Sequence, residues 1–310
     1  MTSLKHRNLV AVDWGSSALR AARLDEAGQV IEERASARGV LTVAPGEFPT
    51  VFESCVSDWM QRPGALCLMS GMVGSQQGWQ QAAYCACPAG FDEIAAKLSW
   101  IEHDRIAIVP GLCCDHSGLS GSDHLPKIPD VMRGEETQIL GALQRFGIQD
   151  GLLVLPGTHS KWVHVEAGKI QHFSTFMTGE IYALLRQHSI LARTMPALDG
   201  DIDWLAFDQG VAVAKRSSSL LESAFSVRTL SLFDRMTEAS RPSYLSGLVI
   251  GEELRAQALS HNSHIFLVGA DALTLRYERA LSMRSISVQR VGSEATWLGL
   301  WTLSQRLQIE

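Results

Sequence analysis

The sequence has no hydrophobic run long enough to span a bilayer as a helix. Its first apolar run, residues 9–12, stops at Asp13, so the basic segment before it does not have the form of a signal peptide. Long basic runs are also missing, and 27 Lys and Arg stand against 33 Asp and Glu, a net charge of −6. This balance argues against nucleic acid as a partner. We therefore expect a cytoplasmic protein with no membrane or nucleic acid partner.

Cysteine is scarce, and its spacing matches no zinc motif. The six cysteines include two close pairs, Cys85 with Cys87 and Cys113 with Cys114, but no CxxC or Cys/His pattern. A structural zinc site needs such ligand spacing. Small buried thiols in a reducing compartment are the expected interpretation.

The chain opens with a strand, a tight turn and a return strand. Residues 9–12 have the length and β-branched content of a buried strand. Asp13 ends this strand, and Gly15 allows a tight turn. Ser16 and Ser17 then add two hydroxyls. A carboxylate beside such a turn suits Mg²⁺ and phosphate, because Mg²⁺ takes hard oxygen ligands, often through water. An ordinary hairpin with a solvated aspartate is the alternative.

The same pattern returns in the second half of the chain. An apolar strand at 152–155 leads into a small-residue turn that contains Gly157, Thr158, His159 and Ser160. Gly15 and Gly157 are 142 positions apart (157 − 15). A chain of 310 residues is long enough for two domains. The repeat predicts two similar α/β lobes, each beginning with a β-meander, whose hairpins could clamp a polyphosphate across a cleft.

A pair of adjacent carboxylates stands between the two copies. Glu135 and Glu136 come directly before the helix that contains residues 139–143, and a helix N-terminus favours anions. Adjacent residues cannot share a helix face, so the two carboxylates should have different roles. One of them could point into a cleft as a general base. Two glutamates that only stabilise the helix dipole are the alternative.

A glycine-rich loop follows the buried strand at 65–69. Open α/β sheets bind ligands at the carboxyl ends of their strands, where this loop begins. Its hydroxyls and amides, together with a stiff aromatic ring, suit a sugar-like ligand, whereas a flexible connector is the alternative. The loop residues expected to contact substrate are Ser70, Gly71, Met72, Gly74, Ser75, Gln76 and Trp79.

Two further glycine motifs lie in the second half. Gly247 and Gly251 are four residues apart in a predicted helix, a spacing that allows the close approach of another helix or of a flat ligand. A later buried strand ends in Gly269 and Ala270 and leads into a helix. Strand, glycine and helix in this order fit a nucleotide site.

These segments together resemble the 2-dehydro-3-deoxygalactonokinase family, within the sugar-kinase, actin and Hsp70-like ATPase superfamily. The resemblance runs nearly end to end and is carried by VAVDWGSSALRA, SGMVGSQQGW, VPGL, VMRGEETQILGA, LPGTHSKWV, FMTGEIYALL, YLSGLVIGEEL and LVGADALTLRYERAL. Ala83 departs from the proline expected there, and the loop at 120–129 is not diagnostic. The resemblance implies an α/β fold of two ribonuclease-H-like lobes, as in actin-like ATPases, with a central ligand cleft.

The expected domain boundaries follow from the same match. They are an N-terminal lobe over 1–148, a C-terminal lobe over 149–295, and a closing helix over 296–310 that packs back on the first lobe. By position, residues 13–17 match the first phosphate motif and residues 157–160 the second. Adenosine is expected to contact Gly247, Gly251, Gly269 and Ala270.

The resemblance also implies roles for the charged residues. In the matching segment of sugar kinases an acidic residue after glycine is the base, which implies Glu135, with Glu136 second. Most sugar kinases of the superfamily use aspartate at this point. Asp13 would hold Mg²⁺, and the carboxylate of a sugar acid would meet Arg20 or Arg133, because arginine can pair with a carboxylate bidentately.

The implied reaction moves a phosphoryl group from ATP, with Mg²⁺, to the 6-hydroxyl of 2-dehydro-3-deoxy-D-galactonate, a step of galactonate catabolism. A nucleoside-triphosphate or polyphosphate hydrolase would place water where the sugar sits, but the SGMVGSQQGW loop argues against it. A non-catalytic sugar-acid sensor would bind without turnover, but the intact Asp13 and Glu135 argue against that. The preferred stereoisomer and the oligomeric state are left open, and a homodimer is allowed.

Overall fold

The computed structural model describes residues 8–115, 127–260, 263–292 and 294–307. The basic N-terminal segment and most of the loop at 120–129 lie outside the described residues. The strands are β1 (Leu9–Trp14), β2 (Leu19–Leu24), β3 (Val30–Ser36), β4 (Leu66–Ser70), β5 (Cys85–Ala86), β6 (Ser99–Glu102), β7 (Ile106–Ile108), β8 (Leu112–Asp115), β9 (Pro129–Met132), β10 (Gly151–Leu155), β11 (Ser160–Glu166), β12 (Lys169–Phe176), β13 (Ile265–Val268) and β14 (Val288–Val291).

The helices are α1 (Phe48–Met60), α2 (Phe91–Ala95), α3 (Glu135–Phe146), α4 (Thr178–His188), α5 (Trp204–Arg216), α6 (Leu220–Ser223), α7 (Ser226–Leu232), α8 (Arg241–Arg255), α9 (Asp271–Ser282) and α10 (Ala295–Ser304). Five of them, α4 to α8, follow one another without an intervening strand in the described range 127–260, and the others lie between or after strands. Among the described residues, no helix combines the length and the apolarity that crossing a bilayer requires.

The first sheet is organised around β1. Its strand order is β3-β2-β1-β4-β7-β6. β1 pairs antiparallel with β2, which places Asp13 opposite Arg20, and parallel with β4, which places Asp13 beside Ser70. Both β1 and β4 are buried almost throughout, as central strands are when both faces are covered. The predicted strand, turn and return strand are therefore confirmed.

The second sheet repeats the order of the first. It runs β12-β11-β10-β13-β14, so a three-strand meander is followed by a later strand placed beside its first strand. The first sheet has the same plan, with β4 beside β1 and β7 next to it. This 3-2-1-4-5 order is the one expected of a ribonuclease-H-like sheet. The predicted α/β class and the predicted internal repeat are confirmed.

The chain divides into two compact units. Unit 1 comprises Met1–Leu153, Val163–Ser174 and Val291–Glu310, and unit 2 comprises Val154–Trp162 and Thr175–Arg290. The expected boundaries at 149 and 296 differ from this division, because residues 149–153, 163–174 and 291–295 belong to unit 1. Each unit is built from more than one segment of the chain, which a division into consecutive ranges does not describe.

A close helix crossing in unit 1 fixes the start of α3. α10 packs against α3. A Cβ atom on Gly141 would overlap the carbonyl of Ala295, and one on Gly299 would overlap the carbonyl of Thr137. Glycine at both positions lets the two backbones touch. The closing helix thus packs within unit 1, directly behind the first turn of α3.

Candidate functional site

Three chain segments of unit 1 meet where β1 and β4 end. Gly71 has a φ of +95°, and a Cβ atom on it would lie 2.8 Å from the Trp14 carbonyl oxygen and 3.5 Å from Oδ1 of Asp13. Gly134 has a φ of +107°, and a Cβ atom on it would lie 3.3 Å from Cα of Gly71. These backbone conformations favour glycine. The two glycines bring Asp13, the glycine-rich loop and the start of α3 with Glu135 to one place.

Asp13 already has a charged partner at this place. Nη2 of Arg20 lies 2.6 Å from Oδ2 of Asp13, and the Arg20 guanidinium also lies over the Trp297 ring, 5.5 Å from its centroid. The geometry thus gives Arg20 a different role from the expected contact with a substrate carboxylate, because its charge is engaged by Asp13. The other oxygen of Asp13 faces Gly71.

The predicted first phosphate turn uses its Gly15 N–H within the turn itself. The backbone N–H of Gly15 donates to the carbonyl of Ala18 at 2.9 Å, so this group closes the turn and does not point to a ligand. The Gly15 carbonyl accepts from Val40. Ser16 and Ser17 are exposed at the tip. Their hydroxyls are the part of this turn that could bind a phosphate.

The two adjacent glutamates have different environments, as expected for adjacent helical residues. Glu135 is half-buried, and its Oε2 accepts the backbone N–H of Arg133 at 3.1 Å. Glu136 is fully buried, and its Oε2 accepts the backbone N–H of Gly134 at 2.6 Å. Burial and the neighbouring Glu135 charge raise the pKa of Glu136 to about 8. Glu136 therefore lacks the open face that the expected catalytic role needs, whereas Glu135 keeps one.

The glycine-rich loop splits into buried and open parts. Ser70 is fully buried, 3.0 Å from the hydroxyl of Thr137, and Gly74 is buried against Ile108. These two residues serve packing and not the expected substrate contact. Trp79 packs on Trp14 with its ring centroid 6.5 Å away.

Part of this loop still borders open space. Trp79 and the exposed Gln76 line a cavity of about 610 Å³ together with the segment 40–49. Met72 and Ser75 are partly buried. Of the expected substrate contacts in this loop, Gln76 and Trp79 border open space, whereas Gly71 is buried against Trp14 and Gly134.

Arg133 carries hydrogen-bond donors that are not used by the described residues. Its Nη2 donates to the carbonyl of Ala82 at 2.8 Å, and its guanidinium lies over the Tyr84 ring, 4.6 Å from the centroid. Nε and Nη1 are buried and have no hydrogen-bond partner among the described residues, and the same is true of the Ser75 hydroxyl. Buried polar groups nearly always have partners. These donors fit an oxyanion.

In unit 2 the second small-residue turn lies against the start of α4. A Cβ atom on Gly179 would lie 2.5 Å from the carbonyl oxygen of Gly157, and the N–H of Glu180 donates to the carbonyl of Thr158 at 3.0 Å. Thr158 and His159 are exposed, and Nε2 of His159 lies 2.6 Å from Oε2 of Glu180. A small-residue loop on a helix N-terminus is a favourable place for phosphate.

Ser160 is buried and does not have the expected phosphate-binding position. Its hydroxyl donates to Oε1 of Glu253 at 2.7 Å. Trp162 Nε1 donates to the same oxygen at 2.5 Å, Tyr277 donates to Oε2 at 2.6 Å, and Thr178 also donates to Oε2. Burial raises the pKa of Glu253, and the four donated hydrogen bonds oppose this.

Glu253 was not identified from the sequence. Its one signal is a carboxylate inside an otherwise buried stretch of α8, in which the neighbouring Glu252 takes the exposed side. Because its four partners come from β11, α4 and α9, it joins the phosphate turn to two helices. We call this group the Glu253 cluster.

A small cavity of about 50 Å³ adjoins the Glu253 cluster. Its lining joins the phosphate turn, the start of α4 and one face of each of α8 and α9: Gly157, Thr178, Gly179, Tyr182, Ser246, Val249, Ile250, Leu273, Arg276 and Tyr277. All of these residues belong to unit 2. Gly269 has a φ of +138°, and a Cβ atom on it would lie 3.9 Å from the Pro156 carbonyl oxygen, so the second glycine motif begins beside the same turn.

Gly247 and Gly251 face away from this cavity. A Cβ atom on Gly247 would overlap the carbonyl of Phe207, and one on Gly251 would lie 2.7 Å from Cβ of Ala214. Both glycines therefore serve the packing of α8 on α5, and the expected adenosine contact is corrected for both. The cavity is lined by other residues of α8, namely Ser246, Val249 and Ile250.

No group of three or more His, Cys, Asp or Glu side chains that could hold a metal ion occurs among the described residues. Asp13 is thus placed as a single carboxylate at a strand end.

Known proteins similar to this chain agree with one another. The family model described as 2-keto-3-deoxy-galactonokinase matches residues 13–303. The 2-dehydro-3-deoxygalactonokinase of Escherichia coli (strain K12) is 34% identical over 290 residues, which cover 93% of this chain and 94% of the relative. A Rhizobium meliloti (strain 1021) protein named for the same activity is 36% identical over 300 residues, 94% of each chain. A crystal structure from Sinorhizobium meliloti, also named for that activity, has a TM-score of 0.85 at 34% identity and covers 96% of this chain and 98% of its own.

Proposed function

Because the chain belongs to the 2-keto-3-deoxy-galactonokinase family, we propose that it transfers the γ-phosphoryl group of ATP to the 6-hydroxyl of 2-dehydro-3-deoxy-D-galactonate. One observation carries the assignment of the acceptor side. Gly71 and Gly134 bring Asp13 and the half-buried Glu135 to the carboxyl ends of β1 and β4. Phosphoryl transfer needs positioning and charge neutralisation more than covalent chemistry, and this arrangement supplies positioning on the acceptor side.

Glu135 is the proposed general base. It stands at the first position of α3, where the helix dipole favours an anion, and it keeps an open side. As the 6-hydroxyl attacks the γ-phosphorus, its proton passes to the Glu135 carboxylate, while the bond from the γ-phosphorus to the ADP oxygen breaks. A neutral hydroxyl would otherwise have to attack with its proton in place.

Arg133 is the proposed partner of the substrate carboxylate. Its Nε and Nη1 lack partners among the described residues, and the Tyr84 ring and the Ala82 carbonyl hold the guanidinium in place. Ser75 adds a hydroxyl, and Gln76 and Trp79 are left for the sugar hydroxyls. Arg20 instead holds Asp13.

ATP is the proposed ligand of unit 2. The N-terminus of α4 with Thr158 and His159 would hold phosphate oxygens. Within unit 1, the exposed hydroxyls of Ser16 and Ser17 would be the phosphate-binding groups of the first turn. The cavity face of α8, with Gly269 and Ala270, would hold the nucleoside. This proposal is supported by the cavity itself, because the phosphate turn, α8 and α9 all contribute residues to its lining.

Mg²⁺ is proposed to enter as part of the ATP complex. A single carboxylate at a strand end fits a metal that keeps waters and takes most of its ligands from phosphates. Oδ2 of Asp13 forms an ion pair with Arg20, so Oδ1 is the oxygen that could reach a metal-bound water. When bound, the ion would neutralise charge on the transferring phosphoryl group. We also propose that the enzyme works in the cytoplasm, where its six free cysteines would stay reduced.

A coupled assay of ADP release tests the proposed reaction. The purified protein with MgATP is given 2-dehydro-3-deoxy-D-galactonate, its gluconate isomer, or no sugar acid. We expect ADP release to depend on the galactonate derivative and the product to carry phosphate at C6. An equal rate without any sugar acid would instead assign a hydrolase, and tight sugar-acid binding without turnover would assign a sensor.

The variant Arg133→Met tests the carboxylate partner. We expect the KM for the sugar acid to rise about 10- to 100-fold, because a hydrogen bond to a charged group contributes ~1.5–3 kcal/mol. The KM for ATP should stay within about twofold. Arg62→Met, at an exposed position of the same unit, is the control and should change neither constant. A rise in both KM values alike would contradict the assignment.

A further inference from the structure

We propose that Glu136 acts as a neutral carboxylic acid that closes a ring of hydrogen bonds and thereby positions the catalytic start of α3. Its role for catalysis rests on the proposed function, in which Glu135 is the base. Glu136 itself does not touch the substrate in this proposal. It is a positioning residue between the end of β4 and the first turn of α3.

The ring has four members, whose contacts range from 2.6 to 3.3 Å. The N–H of Gly134 donates to Oε2 of Glu136 at 2.6 Å, and Oε1 of Glu136 lies 3.3 Å from Oγ of Ser70. Oγ of Ser70 lies 3.0 Å from Oγ1 of Thr137, which donates to the carbonyl of Gly134 at 2.8 Å. The side chains of Ser70, Glu136 and Thr137 are fully buried. Water therefore cannot replace a missing partner.

Counting protons favours a protonated Glu136 in this ring. Apart from the Gly134 N–H, three contacts between oxygens need one proton each, and the hydroxyls of Ser70 and Thr137 supply two. If Thr137 donates to the Gly134 carbonyl and Ser70 donates to Thr137, the proton between Ser70 and Glu136 comes from the carboxyl group. If Ser70 donates to Glu136 instead, the 3.0 Å contact between Ser70 and Thr137 has no proton. An ionised Glu136 would leave one buried contact without a proton.

The surrounding charges favour the same state. Glu135 is the adjacent anion and Arg133 is the cation that opposes its effect on Glu136. Asp13 and its partner Arg20 lie on the side of Gly71 away from Gly134. α10, which packs behind α3, has no titratable side chain. Burial and Glu135 together raise the pKa of Glu136 to about 8, so the acid is neutral at pH 7.

The neutral acid has two consequences for Glu135. It places no second negative charge beside the Glu135 carboxylate. It also ties the backbone of Gly134 to β4 through both its N–H and its carbonyl. Ionisation of Glu136 at alkaline pH would remove a hydrogen bond and set two like charges side by side.

The variant Glu136→Gln tests whether Glu136 acts as a neutral acid or as a carboxylate anion. A glutamine amide can donate to Ser70 and accept from Gly134, which reproduces the ring of the neutral acid. We expect kcat at pH 7 to stay within about threefold of the wild type, and the fall of kcat above about pH 8 to be weaker in the variant. Glu136→Leu, which breaks the ring, should lower kcat at least tenfold and lower the Tm.

A melting series from pH 5 to 8 tests the charge without any activity. Unfolded Glu136 ionises near its ordinary pKa of about 4.5 and the folded acid near 8, so folding takes up a proton between these values. Wild-type stability therefore loses a contribution as pH rises through this window, and Glu136→Gln does not. The Tm of the variant minus that of the wild type should grow steadily from pH 5 to 8.

Two results would overturn the proposal. One is a loss of kcat of tenfold or more in Glu136→Gln with an unchanged Tm, which would mean that the anion is needed. The other is a Tm difference that stays flat with pH. If no variant and no wild-type sample phosphorylates the sugar acid, the proposed function fails, while the melting series still decides the charge of Glu136.

Discussion

Replacing Glu135 with glutamine is expected to lower kcat by about 10²–10⁴-fold, the usual contribution of a general base. Glutamine keeps the size of the side chain and can still accept the Arg133 N–H, but it cannot take a proton from the 6-hydroxyl. Both KM values should change by less than about threefold, because the hydroxyl is bound equally well before the transfer. The measurement is ADP release at saturating ATP and sugar acid.

Glu53→Gln is the matched control for this variant. Glu53 is exposed on α1 of the same unit, so the same chemical change there should leave kcat within error of the wild type. A loss of less than about tenfold in Glu135→Gln would remove Glu135 from the role of base. A larger loss that is accompanied by a lower Tm would point to damage in the first turn of α3, so the melting curve is recorded on the same sample.

Replacing Glu253 with alanine is expected to lower the free energy of unfolding of unit 2 by at least ~3 kcal/mol. Ser160, Trp162, Thr178 and Tyr277 all donate to this one carboxylate. Each buried donor left without an acceptor costs ~1–3 kcal/mol, and the missing side chain also leaves a cavity. Urea unfolding followed by tryptophan fluorescence measures the change.

Glu252→Ala is a control one residue away on the same helix. Glu252 pairs with Arg255 at the surface in an i,i+3 ion pair, which is worth about 0.5 kcal/mol or less. At a temperature where Glu253→Ala is still folded, the KM for ATP should rise about tenfold and that for the sugar acid should not, since the cluster anchors the phosphate turn. Equal stability of the two alanine variants would show that the cluster does not hold unit 2 together.

The strands could be predicted because each one has a local sequence pattern. Short apolar runs that end at Asp13 or Gly157 mark strands and turns, and their recurrence predicts the repeated sheet. Helix ends are less visible in such patterns. α7 ends at Leu232, two residues before Asp234, whose φ of +51° a helix cannot continue through.

The site could be predicted in its residue types but not in the direction of its side chains. Ser70 and Ser160 follow the expected motifs, yet both hydroxyls point inward to a buried glutamate. Which face of a strand end is buried depends on helices that are distant in sequence. For Glu253 the partners lie 24 to 93 positions away, and no local pattern joins them.

The packing of α8 on α5 has a consequence for the cavity beside α8. Gly210, Gly247 and Gly251 share one contact, in which any added Cβ atom would meet backbone or side-chain atoms of the other helix. Ser246 and Ile250 of α8 line the cavity proposed for the nucleoside. A side chain at any one of the three glycines would therefore push α8 and α5 apart. Such a substitution would also move the wall of the cavity proposed for the nucleoside, so we expect it to alter nucleotide binding from outside that cavity.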